Sequence, residues 1–397
     1  MDQLKRTAMT SRERILAAGR GLPVDRLPVF YWLNPHACCK LMAEYQPYNN
    51  RFWNTTARFL WNRFHTNGEQ NAPYLWRLAP LLLDGFAFAT IAEYAYQMGS
   101  DFAVFYHSTP FRFARLALEN GHIVMRDLYG ARRSIGSGIY ADNIDPPIKA
   151  LADLKGYKFP DMRDDSRYDY IRKMRRKYPD KGLAASVFGA FDIPQETLFG
   201  TERFLTMLVD YPDEMQAFLK RWTDNEIEVV RRSVKAGADI MFIGDDYGYN
   251  HRTFLSPRMW KKMIYPHLKR LIDETHAAGA LALLHSCGYQ MTLLDAYVEA
   301  GLDMLQAFQP LAGNDFAAAY ATYGDKLTFI TGIDTQRGES MTPQEFRDDI
   351  RQAYAIGRQK QGFVLGMTHM LQHTMPMDNV HAIFDSITII HAGVFEN

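Results

Sequence analysis

Two spacings of apolar residues take turns along the chain. From residue 180 onward, short runs with little polar interruption alternate with stretches of helical spacing, as strands buried on both faces and their crossover helices require. The runs are LAASVFGAFD (183–192), DIMFIGDD (239–246), LALLHSCG (281–288), DMLQAF (303–308), KLTFITGID (326–334) and GFVLGMTH (362–369). Two earlier segments, Pro28 to Leu33 and Asp101 to His107, also read as strands. Helix starts are marked too. Thr10 and Glu13 have capping-box spacing, Ser256-Pro257 sets an N-cap before a proline, and Thr342-Pro343-Gln344-Glu345 combines both devices. Residues 40–75, aromatic and rich in Asn and Arg, read as short helices and loops, and Asn120-Gly121 between apolar segments predicts an inserted β-hairpin.

Eight strand candidates, each followed by helical sequence, are the number that closes a (β/α)8 TIM barrel. A doubly wound open sheet is the alternative, but no G-x-G-x-x-G follows the first strand and no low-complexity linker divides the chain. The expectation is a single α/β barrel domain over residues 1–397 with an N-terminal helical elaboration and the hairpin insertion.

Composition narrows the function classes. With 47% apolar and 13% aromatic residues, the chain can fill a large core. Forty-five basic against forty-five acidic residues leave no excess positive field, so neither nucleic acid nor an anionic bilayer is an expected partner. Three cysteines cannot make a disulfide framework, which points to a reducing cytoplasm. The charged amino terminus lacks the apolar stretch of a secretion signal, and the run from Leu78 to Thr90, broken by Asp84, is too short to span a membrane.

Chemistry in such a barrel sits at the carboxyl ends of the strands, and those ends are polar here. Trp32, Asn34 and His36 follow the first strand, Tyr106 and His107 the second, Asp192 the third, and Asp245, Asp246 and Tyr247 the fourth. Gln306 and Gln309 follow the sixth, Asp334 and Gln336 the seventh, and His369 the eighth. Any one could be a loop cap; their accumulation at one rim points to a site. Trp32, Asn34, His36, Tyr106, Asp192, Tyr247, Gln306, Gln309 and Asp334 are therefore read as substrate-lining.

The fifth strand ends in His285-Ser286-Cys287-Gly288. Residues two apart in a strand face one side, so imidazole and thiolate can converge on an ion such as zinc. A satisfied core histidine beside a buried cysteine is the plainer reading; His369 at the end of the eighth strand favours the metal. Asp245 and Asp246 are candidates for catalysis, as metal ligand, substrate anchor or proton donor, or else turn caps, and at most one should face the barrel axis. His36, His107 and His373 read as loop or pocket histidines, and Arg172 to Lys181 as a solvated helix face.

The segments RERILAAGRGLPVDRLPVFYW, LSPRMWKKMIYPHLKRLIDETHAAGA, LLHSCG and GMTHMLQHTMPMDNVHAI resemble the uroporphyrinogen decarboxylase superfamily through most of the chain. The decarboxylases carry an R-Q-A-G-R segment after the first strand that holds porphyrinogen carboxylates; YWLNPHACCK stands here without arginines, so decarboxylation is not expected. The H-x-C-G motif is instead similar to the zinc methyltransferase branch, which moves methyl groups to or from a corrinoid on a separate protein. In its thiol methyltransferases the ligands are His, Cys and a second Cys on the last strand. His285 and Cys287 match, whereas the last strand offers His369, nine residues before Asp378 of Pro376-Met377-Asp378-Asn379.

The resemblance thus implies zinc on His285, Cys287 and His369, with Asp245, Asp246, His36 and Cys38 or Cys39 in reserve. His369, Asp245 and Asp246 are the candidate catalytic groups. One thiolate with two imidazoles leaves zinc a stronger Lewis acid than two thiolates would, which favours taking a methyl group from a methoxylated small molecule, expected to be aromatic, and passing it to a corrinoid (cobalamin) partner protein. The alternatives are a methylcobamide:thiol methyltransferase, a uroporphyrinogen-type decarboxylase, or a binding barrel without turnover. A homodimer is compatible with all of them.

Overall fold

The structure, a computed structural model, describes residues 8–67, 90–106, 115–119, 122–135 and 141–393. His107 and the Asn120-Gly121 turn lie outside the described residues. Strands are numbered in chain order, with β9 (Gly248–Tyr249) and β10 (Arg252–Thr253) forming a separate antiparallel pair. β1 (Val29–Phe30), β2 (Phe102–Phe105), β7 (Gly182–Phe188), β8 (Ile240–Gly244), β11 (Leu281–His285), β12 (Met304–Gln306), β13 (Thr328–Ile333) and β14 (Phe363–Met367) form one eight-stranded sheet. Its order is β1-β14-β13-β12-β11-β8-β7-β2, and its ladders are parallel.

The two edge strands close on each other without a regular ladder. Asp101 donates its N–H to the Val29 carbonyl at 2.9 Å while its carboxylate accepts from Val29 N at 2.9 Å. Ser100 Oγ accepts from Tyr31 N at 3.1 Å, and Phe30 stacks on Phe102 with ring centroids 4.2 Å apart. All eight expected strands are present, in the nearly closed barrel that eight parallel strands predict.

Inside and outside separate by strand parity. Phe102, Val104, Ile240, Phe242, Leu281, Leu283, Met304, Ile330 and Val364 pack together in the interior, joined by Ile15 and Ala18 of α1 (Ser11–Gly19). Met241, Ile243, Ala282, Leu284 and Leu305 point the other way, into the layer between strands and helices. The capping box of α1 is formed: Thr10 Oγ1 accepts from Glu13 N at 3.2 Å and Glu13 accepts from Thr10 N at 2.8 Å. α1 therefore enters the amino end of the barrel and stops it.

Three expectations change. The aromatic segment after β1 holds α2 (Pro35–Glu44) and then a helix of 17 residues, Arg51–Asn67, not only short ones. The insertion after β2 is larger than a hairpin: β3 (Arg115–Glu119), β4 (His122–Arg126), β5 (Arg132–Ile135) and β6 (Ala141–Asp145) form a four-stranded antiparallel sheet. Arg175, expected on a solvated face, reaches the buried Asp239 carboxylate and the Gly237 carbonyl, partners over 60 residues away that local sequence does not announce.

Candidate metal centre

Parity delivers the first donor. Leu281 and Leu283 face the barrel interior, so His285, last in β11, faces it too at the carboxyl end. Gln306 is its register partner on β12, two residues beyond the inward Met304. Cys287 lies past the end of β11, so its approach to His285 is the work of a turn and not of strand alternation, as the sequence had suggested. That turn is pinned. Cys287 N donates to Asp246 Oδ1 at 2.7 Å, Gly248 N to the Cys287 carbonyl at 3.2 Å, and Gly288 N to Gln309 Oε1 at 2.9 Å. Gly288 has φ +81°, and a Cβ on it would stand 2.1 Å from the Gly248 carbonyl carbon, so both conformation and space demand glycine.

His369, two residues beyond β14, completes a cluster. One donor atom from each of His285, Cys287 and His369 lies within 4.8 Å of the others. Cys287 Sγ is 3.5 Å from His285 Nε2, and Asp246 Oδ1 is 3.7 Å from the same nitrogen. Aromatic rings wall the cluster. Trp32 meets His285 edge-on at 4.9 Å and His369 at 5.5 Å, while Phe242 stacks on His285 at 5.4 Å. Sequence reasoning missed Phe242, although its place two residues before the end of β8 and its inward parity could have found it.

The electrostatics suit a cation. Burial, with the nearby Asp246, pushes the Cys287 thiol well above its ordinary range. Burial, with His285, pushes His369 down to about 4, so this ring is neutral and able to coordinate at neutral pH. Burial, then Asp246 and Asp245, raises Asp192 well above the usual carboxylate range. A dication among these groups would favour thiolate over thiol and offset the crowded acids. Two ligands of one tetrahedral zinc, with bonds of about 2.0–2.3 Å, stand roughly 3.5 Å apart. The His2Cys set therefore fits zinc in donor type, and the 3.5 Å between Cys287 Sγ and His285 Nε2 fits it in spacing.

The family model for uroporphyrinogen decarboxylase (URO-D) matches residues 122–389. The chain belongs to the URO-D family. Its match begins after β1 and β2, and α2, which follows β1, contains no arginine. Among relatives, the uroporphyrinogen decarboxylase of Anaeromyxobacter dehalogenans is 23% identical over 94% of this chain and 97% of its own. That of Geotalea daltonii is 24% identical over 40% of this chain, which spans about half (48%) of that relative's length. A methyltransferase from Methanosarcina mazei has the same fold, with a TM-score of 0.65 at 16% identity, covering 95% of this chain and 98% of its own.

The other rim residues of this URO-D family member fall into two groups. Asp246 and Trp32 join the cluster, and Asp192 stands beside Asp246. The rest support loops. Asn34 caps α2 by accepting from Ala37 N at 2.7 Å and donates to Gln372 at 2.6 Å. Asp245 Oδ1 accepts from Phe191 N at 2.9 Å and Asp192 N at 2.6 Å; burial raises this carboxyl to about 7. Asp334 accepts from Gln336 N at 3.0 Å and pairs with Arg337 at 2.6 Å. Gln309 holds the Gly288 turn, and Tyr247 is buried among Phe191, Trp260 and Tyr297. Tyr106 is half-buried, its hydroxyl pushed up to about 12 by burial.

His36 pairs with His373, ring centroids 5.5 Å apart, and Cys38 and Cys39 are buried in α2; none belongs to the three-donor cluster. Among the described residues no helix is long and apolar enough to cross a membrane.

Proposed function

We propose that this protein is a zinc-dependent methyltransferase that takes a methyl group from a methoxylated aromatic compound and passes it to a corrinoid carried by a separate protein. The observation that carries the reading is the convergence of His285, Cys287 and His369 at the carboxyl end of the barrel, where such folds place their chemistry. The Methanosarcina mazei protein with the same fold is named a methyltransferase, which supports the same class. The absence of arginine from α2 speaks against carboxylate-rich porphyrinogens.

When bound, zinc would supply a Lewis acid for the leaving oxygen and the partner's corrinoid the methyl acceptor. The residues of this chain do the rest. His285, Cys287 and His369 would hold the ion, with one thiolate charge between them. Trp32 and Phe242 exclude water around it and offer an aromatic substrate a flat wall. Asp246, fixed by Cys287 N, keeps the cysteine turn in place. Asp192, whose affinity for a proton burial and the neighbouring acids raise, is the candidate proton source for the phenolate released.

Purified protein supplied with zinc should retain about one ion per chain by elemental analysis. Mixed with cobalt(I) cobalamin and a methoxylated aromatic acid, it should give the methylcobalt spectrum and a free phenol. Rapid methylation of a small thiol from methylcobalamin, with no ether cleavage, would replace this reading by the thiol methyltransferase. Carbon dioxide release from uroporphyrinogen would restore the decarboxylase.

A further inference from the structure

We infer that Gln306 is a positioning residue that holds the His285 ring with its hydrogen on Nδ1 and its lone pair on Nε2, aimed at Cys287. The inference deepens the metal reading, on which it rests for what the lone pair is used for; the ring tautomer stands independently.

Gln306 is fully buried on β12, beside His285 in the parallel register. Its amide makes two contacts, one to the Met367 carbonyl at 2.8 Å and one to His285 Nδ1. A backbone carbonyl only accepts, so the amide nitrogen must face Met367. The amide oxygen is thereby turned to His285. An amide oxygen also only accepts, so Nδ1 must carry the hydrogen, and in the neutral ring the lone pair is left on Nε2. Nε2 is the atom 3.5 Å from Cys287 Sγ.

The same side chain has a mechanical part. Met367 ends β14, two residues before His369, so Gln306 ties the strand carrying one proposed ligand to the strand leading to another, reaching past the intervening β13. With both ends of its amide engaged and no exposed surface, Gln306 does not line a substrate space as its rim position in the sequence suggested. Partners of this kind orient metal-binding imidazoles, and their loss weakens metal binding by about 10–100-fold.

The test begins with metal-free wild-type protein. Nitrogen-15 NMR of the histidine rings, with the His285 signals assigned by their absence in His285→Gln, should show hydrogen on Nδ1 of His285 at pH 8. Gln306→Leu should release that tautomer and lower zinc affinity by about 10–100-fold in competition with a chelator. Gln306→Glu keeps an acceptor for Nδ1–H while giving up the donor to Met367. It should keep the tautomer and bind zinc more tightly than the leucine variant. Near-UV circular dichroism checks that each variant is folded. A wild-type ring lacking hydrogen on Nδ1, or a folded Gln306→Leu that holds zinc as tightly as wild type, would overturn the inference. If wild-type protein takes up no zinc, the metal reading falls, and the ring spectra alone decide what Gln306 does.

Discussion

The two ends of the barrel treat most of their buried acids differently, with Asp334, paired with Arg337 at the carboxyl end, the exception. At the amino end, Asp101 is paired with Arg14 at 2.6 Å and Arg26 at 2.9 Å and accepts from Val29 N. Asp239 there is paired with Arg12 and Arg175 and accepts from Leu183 N. At the carboxyl end, Asp245 and the Glu226 carboxylate that accepts from Phe188 N have no ion pair among the described residues, and their side-chain neighbours, Tyr247 and Asn225, are neutral donors. Charges satisfied by arginines hold a fold shut. Acids left without counter-charge cost stability in their charged form, and burial accordingly pushes Asp245 up to about 7 and Glu226 up to about 8.

Substitutions at either end should therefore fail differently. Cys287→Ala and His369→Ala are expected to lower zinc retention and methyl transfer more than about a hundredfold with the unfolding midpoint in urea nearly unchanged. Equal loss of stability and metal would mean that the cluster is part of the core. Asp101→Ala is expected to do the reverse. Removing Asp101 takes the buried carboxylate from Arg14 and Arg26 and the acceptor from Val29 N, leaving Arg14 only the partly exposed Asp25, at a cost of about 3 kcal/mol, while the folded fraction keeps its zinc. Zinc content per folded molecule, measured after size-exclusion, separates the two cases.

This division was only half legible in the sequence. Strands buried on both faces show as apolar runs, so all eight could be read, though with ends too long: the run 183–192 supplies β7 only to Phe188, because beyond it the chain turns to let Asp245 cap Phe191 and Asp192. His285 was legible through parity. Cys287 was found for a reason that does not hold, since it follows the strand and owes its place to Asp246, Gly248 and Gly288. Asn34, Asp334 and Gln309 sit at the expected rim, but what a polar side chain bonds to there depends on partners distant in sequence. The same reason hid the arginines of the amino end, whose acids lie 87 and 64 residues away.

A smaller effect probes how rigid the carboxyl end must be. Gly288→Ala would force a side chain onto a residue at φ +81° and against Gly248. A strained residue of this kind costs about 1–3 kcal/mol, and relief by moving the turn would carry Cys287 away from His285. Zinc affinity should fall while a Gly279→Ala control, also at positive φ but with nothing within 4 Å of the new Cβ, leaves affinity unchanged. Equal zinc affinity in both variants would show that the cysteine turn tolerates displacement.

The smallest effects lie in the pH dependence of stability, and their signs should be opposite at the two ends. Burial raises Glu226 from its ordinary 4.5 to about 8, so the folded state favours the protonated acid. The stability linked to that proton is complete below 4.5 and is lost as pH rises through about 8. Glu226→Gln should match wild type near pH 4.5 and become progressively more stable than it up to pH 8. Asp25, at the amino end, goes the other way. Burial alone would raise it, but Arg14 and the Met9 and Arg26 amides hold it down at about 2. Its contribution is complete above the ordinary 3.8 and lost as pH falls toward 2. Asp25→Asn should be less stable than wild type at pH 6 by about 1 kcal/mol, since its partly solvated pair with Arg14 is screened, and the gap should narrow as pH falls below 4. Urea midpoints of the three proteins across this range give both slopes. Slopes of the same sign would erase the distinction between paired acids that close the barrel and unpaired acids that surround its mouth.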